Sequence, residues 1–228
     1  MMKRQYGKSS WIAALVSVAM VSGGSVLQAA SGKKTLMLDF ENVAAGSLPA
    51  GWQVAATHPN GRPNAWRVQE DSRAVSGKKV LALPETPRFY GGTFNLCWTD
   101  EVSFKDGVIQ VKVHAGTGNE DQGGGPIWRV KDANNYYIVR WNPLEDNFRL
   151  YFVKDGHRKQ IATANVKADP KQWHTIKVVQ KGQDITCYLD GKKLLTATDQ
   201  TFTEAGGVGL WTKADAASCF DDFMVQGK

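Results

Sequence analysis

From Lys33 onward the chain is written in short runs of alternating apolar and polar residues, each closed by Gly, Pro, Asp or Asn. Gly107 to His114 (GVIQVKVH) sets Ile109, Val111 and Val113 on one face and Gln110, Lys112 and His114 on the other, the period-two pattern of a half-buried strand. Lys33–Phe40, Ala65–Gln69, Lys79–Leu83 and Thr93–Trp98 read the same way, and Gly46, Pro49 and Gly51 mark the loop before Trp52. Asp155-Gly156 joins Asn147–Lys154 to His157–Ala164, and Asp190-Gly191 joins Asp184–Leu189 to Lys192–Thr198. Asp-Gly supplies the positive φ angles of a two-residue hairpin turn. Lys181-Gly182 marks a further reversal, and Gly206–Thr212 and Ala217–Val225 end the pattern. No segment sustains a helical period and no blade-like repeat is present. A dozen or more short strands must each bury one face. The pattern therefore predicts an all-β fold, a two-sheet antiparallel jelly-roll sandwich.

The first 30 residues stand apart. Lys3, Arg4 and Lys8 precede an apolar run from Trp11 to Val21, and small residues follow to Leu27-Gln28-Ala29-Ala30. This is the order of a signal peptide, with an uncleaved anchor as the alternative. The run is shorter than the roughly 20 residues a membrane-spanning helix needs. The expectation is residues 1–30 as leader and 31–228 as one domain, periplasmic or secreted, with no membrane span after removal. Three of the 28 basic residues lie in the leader, leaving 25 against 22 acidic and a net charge of +3. That balance is too mild for a nucleic-acid partner. Cys97, Cys187 and Cys219 form an odd set in strand-like contexts and are expected to pack as small hydrophobes rather than form a disulfide framework.

The densest chemistry lies between Gly123 and Lys159, rich in Trp, Tyr, Arg and Asn. Parity sorts it. Tyr137, Val139 and Trp141 fall on a core face, as do Phe148, Leu150 and Phe152, and Trp128 with Val130. The opposite parity gathers Arg129, Tyr136, Arg140, Asn142, Arg149 and Tyr151 on one exposed face. Such a cationic, aromatic, donor-rich surface suits a polar ring such as a saccharide, although a solvated sheet face is the alternative. The Gly123-Gly124-Gly125 loop, preceded by Asp121, lets backbone approach a ligand and lacks the Gly-Lys-Ser/Thr of a phosphate loop. Asp121 and Glu145 are the candidate carboxylates, and His174 is the histidine best placed for acid–base work. Of Asp221 and Asp222, adjacent in one strand, one faces inward and needs a partner such as a cation.

Asp39-Phe40-Glu41, Leu48-Pro49-Ala50-Gly51-Trp52, Trp128-Arg129, Asn135-Tyr136-Tyr137 with Arg140, and the ending from Gly207-Val208-Gly209-Leu210-Trp211-Thr212 to Phe220-Asp221-Asp222-Phe223 resemble the concanavalin A-like lectin/glucanase superfamily. Within it they are most similar to exported 3-keto-disaccharide hydrolase domains. The resemblance implies a curved jelly roll with the ligand on its concave sheet. It also implies a structural calcium ion (Ca2+) held by Glu41 and Asp222, with a backbone carbonyl near Gly77. The Glu-x-Asp-x-x-Glu strand of the superfamily's retaining glucanases is absent from the sequence. Two functions follow: cleavage of a 3-keto-glycoside by C2 deprotonation and elimination, with Asp121, Glu145 or His174 as base and Arg129 and Arg140 at the enolate, or carbohydrate binding without turnover. A cell-envelope interaction domain is a third.

Overall fold

The computed structural model describes residues 28–30, 33–60, 63, 65–84 and 91–227. Most of the expected leader lies outside them. Its last three residues form a strand, β1 (Gln28–Ala30), paired with β2 (Lys33–Leu38). The chain continues through β3 (Trp52–Thr57), β4 (Arg67–Glu70), β5 (Lys79–Leu83), β6 (Phe94–Phe104), β7 (Gly107–Ala115), β8 (Gly125–Asp132), β9 (Asn135–Asn142) and β10 (Asn147–Lys154). It closes with β11 (His157–Asn165), β12 (Trp173–Lys181), β13 (Asp184–Leu189), β14 (Lys192–Thr198), β15 (Gly206–Lys213) and β16 (Ser218–Gly227). No helix occurs among the described residues.

Two antiparallel sheets result. One runs β1-β2-β16-β7-β12-β13-β14, with β5 on β16 and β4 on β5; the other runs β11-β10-β9-β8-β15-β6-β3. The hairpin turns follow their sequence, with Asp155 and Gly156 at φ 51° and 80°, and Asp190 and Gly191 at 50° and 77°. Ile109, Val111 and Val113 of β7 and Ile176 and Val178 of β12 face Tyr137, Val139 and Trp141 of β9 and Phe148 and Leu150 of β10 in one buried core. All three cysteines are free and buried, as small hydrophobes.

The seven-stranded sheet is strongly bent. Four strand intervals separate β9 from β3, roughly 19 Å in a flat sheet at about 4.8 Å each. Yet the Tyr136 hydroxyl lies 2.9 Å from Thr57 Oγ1 and accepts the Trp211 indole N–H at 3.2 Å. His58 Nε2 lies 2.9 Å from the carbonyl of Gly156, so the end of β3 meets the β10–β11 turn. The face turned away from the core is therefore concave, and it carries a second buried cluster that includes Phe94, Tyr136, Tyr151 and Trp211.

Alternation breaks once in the informative stretch. The β8–β9 register shifts between Trp128 and Asp132, and the β15–β8 register shifts beside Gly207. Arg129 sits there at φ 48°. Trp128 stacks on Tyr137 inside the sandwich, and Val130 belongs to the concave cluster. Val130 was expected on the core face, and the bulge turns it outward.

Candidate functional site on the concave sheet

Five of the six expected face residues lie on the concave sheet: Arg140, Asn142, Arg149 and Tyr151 toward the β9–β10 turn, and Tyr136 near the other end of β9. Arg149 pairs directly with Arg140, Asn147 with Asn142, and Tyr151 with Ile138 across β10 and β9. Two guanidiniums held side by side need a shared anion, and Glu145 in the β9–β10 turn supplies it. Its Oε2 accepts from Arg140 Nη2 at 3.0 Å, Arg149 Nη1 at 2.9 Å and Asn147 Nδ2 at 2.8 Å. Burial alone would raise the Glu145 pKa, but the hydrogen bonds from Asn147 and Arg140 and the charges of Arg140 and Arg149 outweigh it and hold it at about 2. The face is lined rather than exposed. Tyr136, Arg140, Asn142 and Tyr151 are buried, and Arg149 keeps 34% of its side chain in solvent.

Asp121 stands across Asn142 from this cluster and is 2% exposed. Its Oδ1 accepts from Asn142 Nδ2 at 2.9 Å and the Gln122 amide at 3.1 Å. Its Oδ2 lies 3.0 Å from Lys213 Nζ but out of line for a hydrogen bond, so that oxygen has an ionic neighbour and no donor. The loop bearing Asp121 is tied by Asp215, whose carboxylate accepts the amides of Asn119, Glu120 and Asp121. The glycines that follow have a steric reason. A Cβ on Gly123 or Gly125 would lie 2.3 or 2.0 Å from the carbonyl oxygen of Trp141 or Val139.

Arg158 of β11 completes the site. Its guanidinium carbon lies 4.6 Å from the Tyr151 ring centroid, 4.9 Å from Phe94 and 6.0 Å from Trp211. Burial lowers its pKa, Arg140 lowers it further, and Tyr151 and Asp121 act in the opposite sense. Arg158 Nη1 and Arg140 Nε are both buried without a hydrogen-bond partner. The site thus holds one carboxylate oxygen and two guanidinium N–H groups without hydrogen-bond partners. Sequence reasoning missed Arg158 and Lys213. Their signals were the register of the Asp155-Gly156 hairpin, which sets Arg158 opposite Val153, and the parity of Lys213 with Trp211.

Two expected residues lie elsewhere. Arg129 was expected on the ligand face. Instead, 1% exposed, it donates from Nε and Nη2 to the Lys105 carbonyl (3.0 and 2.8 Å), from Nη2 to Gly182 (2.8 Å) and from Nη1 to Phe202. The bulge turns it into a tie between the β6–β7 and β12–β13 turns. His174 belongs to the other sheet and packs against Trp141 with ring centroids 4.5 Å apart. Its Nδ1 lies 2.7 Å from Asp190 Oδ2 and its Nε2 2.8 Å from the Asp169 carbonyl. With both nitrogens engaged behind the sheet, it does not join Asp121 and Glu145.

The corner implied for calcium also has other occupants. Glu41 Oε1 accepts the amides of Lys78 and Lys79 at 2.9 and 2.6 Å. Asp222 takes the Ser76 hydroxyl on one oxygen and lies 3.3 Å from Lys112 Nζ with the other. Lys79 Nζ donates to the carbonyls of Glu41 and Val43, both at 2.9 Å. The inward carboxylate is Asp221, satisfied by the amides of Val75, Ser76 and Asp222. Among the described residues no three acidic, His or Cys side chains cluster for a metal, and an ammonium already holds the carbonyls. The donor set as it stands does not fit calcium, and nothing below depends on it.

The same architecture recurs in proteins of known structure. The carbohydrate-binding module CBM66 from Bacillus subtilis aligns at TM-score 0.58 and 20% identity, over 78% of this chain and 96% of its own. The β-glucanase of Bacillus licheniformis aligns at 0.58 and 16%, over 91% and 99%. A GH16 protein of the Bacteroides ovatus mixed linkage glucan PUL, in complex with product, aligns at 0.60 and 14%, over 83% and 98%. At such identities the likeness is one of fold. No curated protein matches the chain in sequence. Residues 39–226 do match one family along nearly the whole domain, and on that evidence the chain belongs to the 3-keto-α-glucoside-1,2-lyase-like domains.

Proposed function

We propose that the concave site cleaves 3-keto-glycosides by elimination, with Asp121 as the base. The observation that carries this reading is a set of buried atoms without hydrogen-bond partners, Asp121 Oδ2, Arg140 Nε and Arg158 Nη1, on residues whose charges are close enough to act on Arg158. Glu145, at about 2, is too weak a base to compete near neutral pH, and it serves to orient Arg140 and Arg149. In the reaction, Asp121 removes the C2 proton, and the C2–H electrons move into a C2=C3 bond as the C3 carbonyl becomes an enolate oxygen. The Arg140 guanidinium donates to that oxygen. The enolate then reforms the ketone and expels the C1–O bond, leaving a C1=C2 double bond. The departing oxygen recovers the proton from Asp121. Water adding to the enone afterwards completes a net hydrolysis. The reading includes export, with the domain working in the periplasm or outside the cell.

The second reading is a carbohydrate-binding module, favoured by the three rings that fix Arg158, since a rigid aromatic wall also suits binding without turnover. Mass spectrometry of the protein incubated with 3-keto-glucosides and their unoxidised parents decides between them. Aglycone released from the keto forms alone, and lost by roughly 10²- to 10⁴-fold in Asp121→Asn, supports the lyase. Saccharide affinity with no release from any substrate would leave the binding module.

A further inference from the structure

Arg158 has a property that the elimination does not use. Three other cations of this face have a carboxylate beside them: Arg140 and Arg149 share Glu145, and Lys213 lies 3.0 Å from Asp121 and 3.8 Å from Glu120. Among the described residues no carboxylate forms an ion pair with Arg158, and its Nη1 is buried with no acceptor. What holds it are three aromatic faces. Cation–π contacts of this kind return less than the cost of removing an ion from water. The nearby charge of Arg140 works against Arg158, and that of Asp121, which forms no ion pair with it, works for it.

A guanidinium kept in this condition is an anion site awaiting its anion. A neutral sugar hydroxyl would give Nη1 an ordinary hydrogen bond, whereas a carboxylate would supply the missing counter-charge and a bond roughly twice as strong. We infer that the saccharide taken by this face carries an anionic group, a sugar carboxylate as in a uronoside, and that Arg158 selects it. The inference rests on the concave face being a saccharide site, and it is independent of the elimination step. It differs from a role at the enolate because the charge is recognised in the ground state, so it must appear in affinity.

The test is calorimetric titration of the wild-type protein with methyl glucuronide, methyl glucoside and methyl glucoside 6-phosphate. Tighter binding of the glucuronide than of the glucoside by about tenfold or more, the order expected of one charge-assisted bond, supports the inference. Rising salt should shrink the difference. Arg158→Gln should abolish it, and Arg158→Lys, which keeps the charge, should retain part of it. Equal affinity for acidic and neutral sugars in the wild type overturns the inference while leaving the saccharide site intact. So does a preference for the phosphate over the carboxylate. A fall in turnover of 3-keto-glucosides in Arg158→Gln, with no preference for acidic sugars in the wild type, also overturns it and assigns Arg158 to the enolate. Failure to bind any saccharide removes the proposed function together with it.

Discussion

Glu145 shows how one carboxylate governs the state of its neighbours. Three donors converge on Oε2, so the fork of Arg140 is fixed and its Nε is aimed away from the turn, unpartnered. Glu145→Gln keeps the shape and removes the charge. The two guanidiniums then repel without a shared anion, and turnover of a 3-keto-glucoside is expected to fall about tenfold, a smaller loss than in Asp121→Asn because orientation rather than the proton acceptor is lost. Stability carries a second signature. The folded pKa of Glu145 lies below its ordinary value of 4.5, at about 2. Its contribution is therefore complete above pH 4.5 and is lost as pH falls through about 2. The melting-temperature deficit of Glu145→Gln relative to wild type should be constant above pH 5 and shrink as pH falls from 4.5 toward 2. A deficit independent of pH would show that the carboxylate's charge is not what the arginines need.

At the scale of the element, the β8 bulge decides where Arg129 goes. Strict alternation would set Arg129 opposite in sense to Trp128, on the concave face. The extra residue and the positive φ of 48° send the guanidinium to the carbonyls of Lys105, Phe202 and Gly182 instead. Arg129→Met, of similar length, strips the donors from the Lys105 and Phe202 carbonyls, while Gly182 keeps Gln180 Nε2 at 2.9 Å; a carbonyl left unsatisfied where water cannot reach costs about 1–3 kcal/mol. We expect a loss of about 3 kcal/mol or more in chemical denaturation, with Asp121 and Arg140 undisturbed and the saccharide affinity of the folded protein unchanged. Unchanged stability would mean that the tie is ornamental. This element also marks where the sequence stops being readable. The hairpins were legible because Asp-Gly encodes its own turn, and the faces of β9 and β10 were legible because no bulge interrupts their pairing with each other. The bulge at Arg129 leaves no local signature beyond glycines on a strand not yet known to be its neighbour. His174 was misplaced for a related reason: parity gives the side of a strand but not the sheet to which the strand belongs. Arg158 was overlooked because its value comes from Phe94, 64 positions earlier in the chain, which only the bend brings near.

That bend is a property of the whole molecule, and Tyr136 holds it. Its hydroxyl joins Thr57 on one edge strand and Trp211 near the middle of the sheet. The ring belongs to the buried apolar cluster of the concave face. Burial pushes the Tyr136 pKa well up, so the group stays a neutral phenol and acts as both acceptor and donor. Thr57 Oγ1 also reaches the carbonyl of Ala133, so the link runs from β3 to the β8–β9 turn. Removing the hydroxyl in Tyr136→Phe leaves the ring in place and strips two side-chain contacts, at a cost of about 1–2 kcal/mol. If the curvature is maintained only by the general shape of the sheet, nothing further happens. If this link maintains it, the sheet relaxes, Phe94 and Trp211 draw away from Arg158, and the guanidinium loses its aromatic support. Saccharide affinity should then weaken in Tyr136→Phe by several-fold although the Tyr136 hydroxyl is engaged with Thr57 and Trp211, and the intrinsic tryptophan fluorescence should shift toward that of a more solvated ring. Thr57→Val, which cuts the same link from the other edge, should reproduce both effects, and the double variant should be no worse than either single one, because the three groups act as one connection. Additive losses would place the origin of the curvature elsewhere in the sheet.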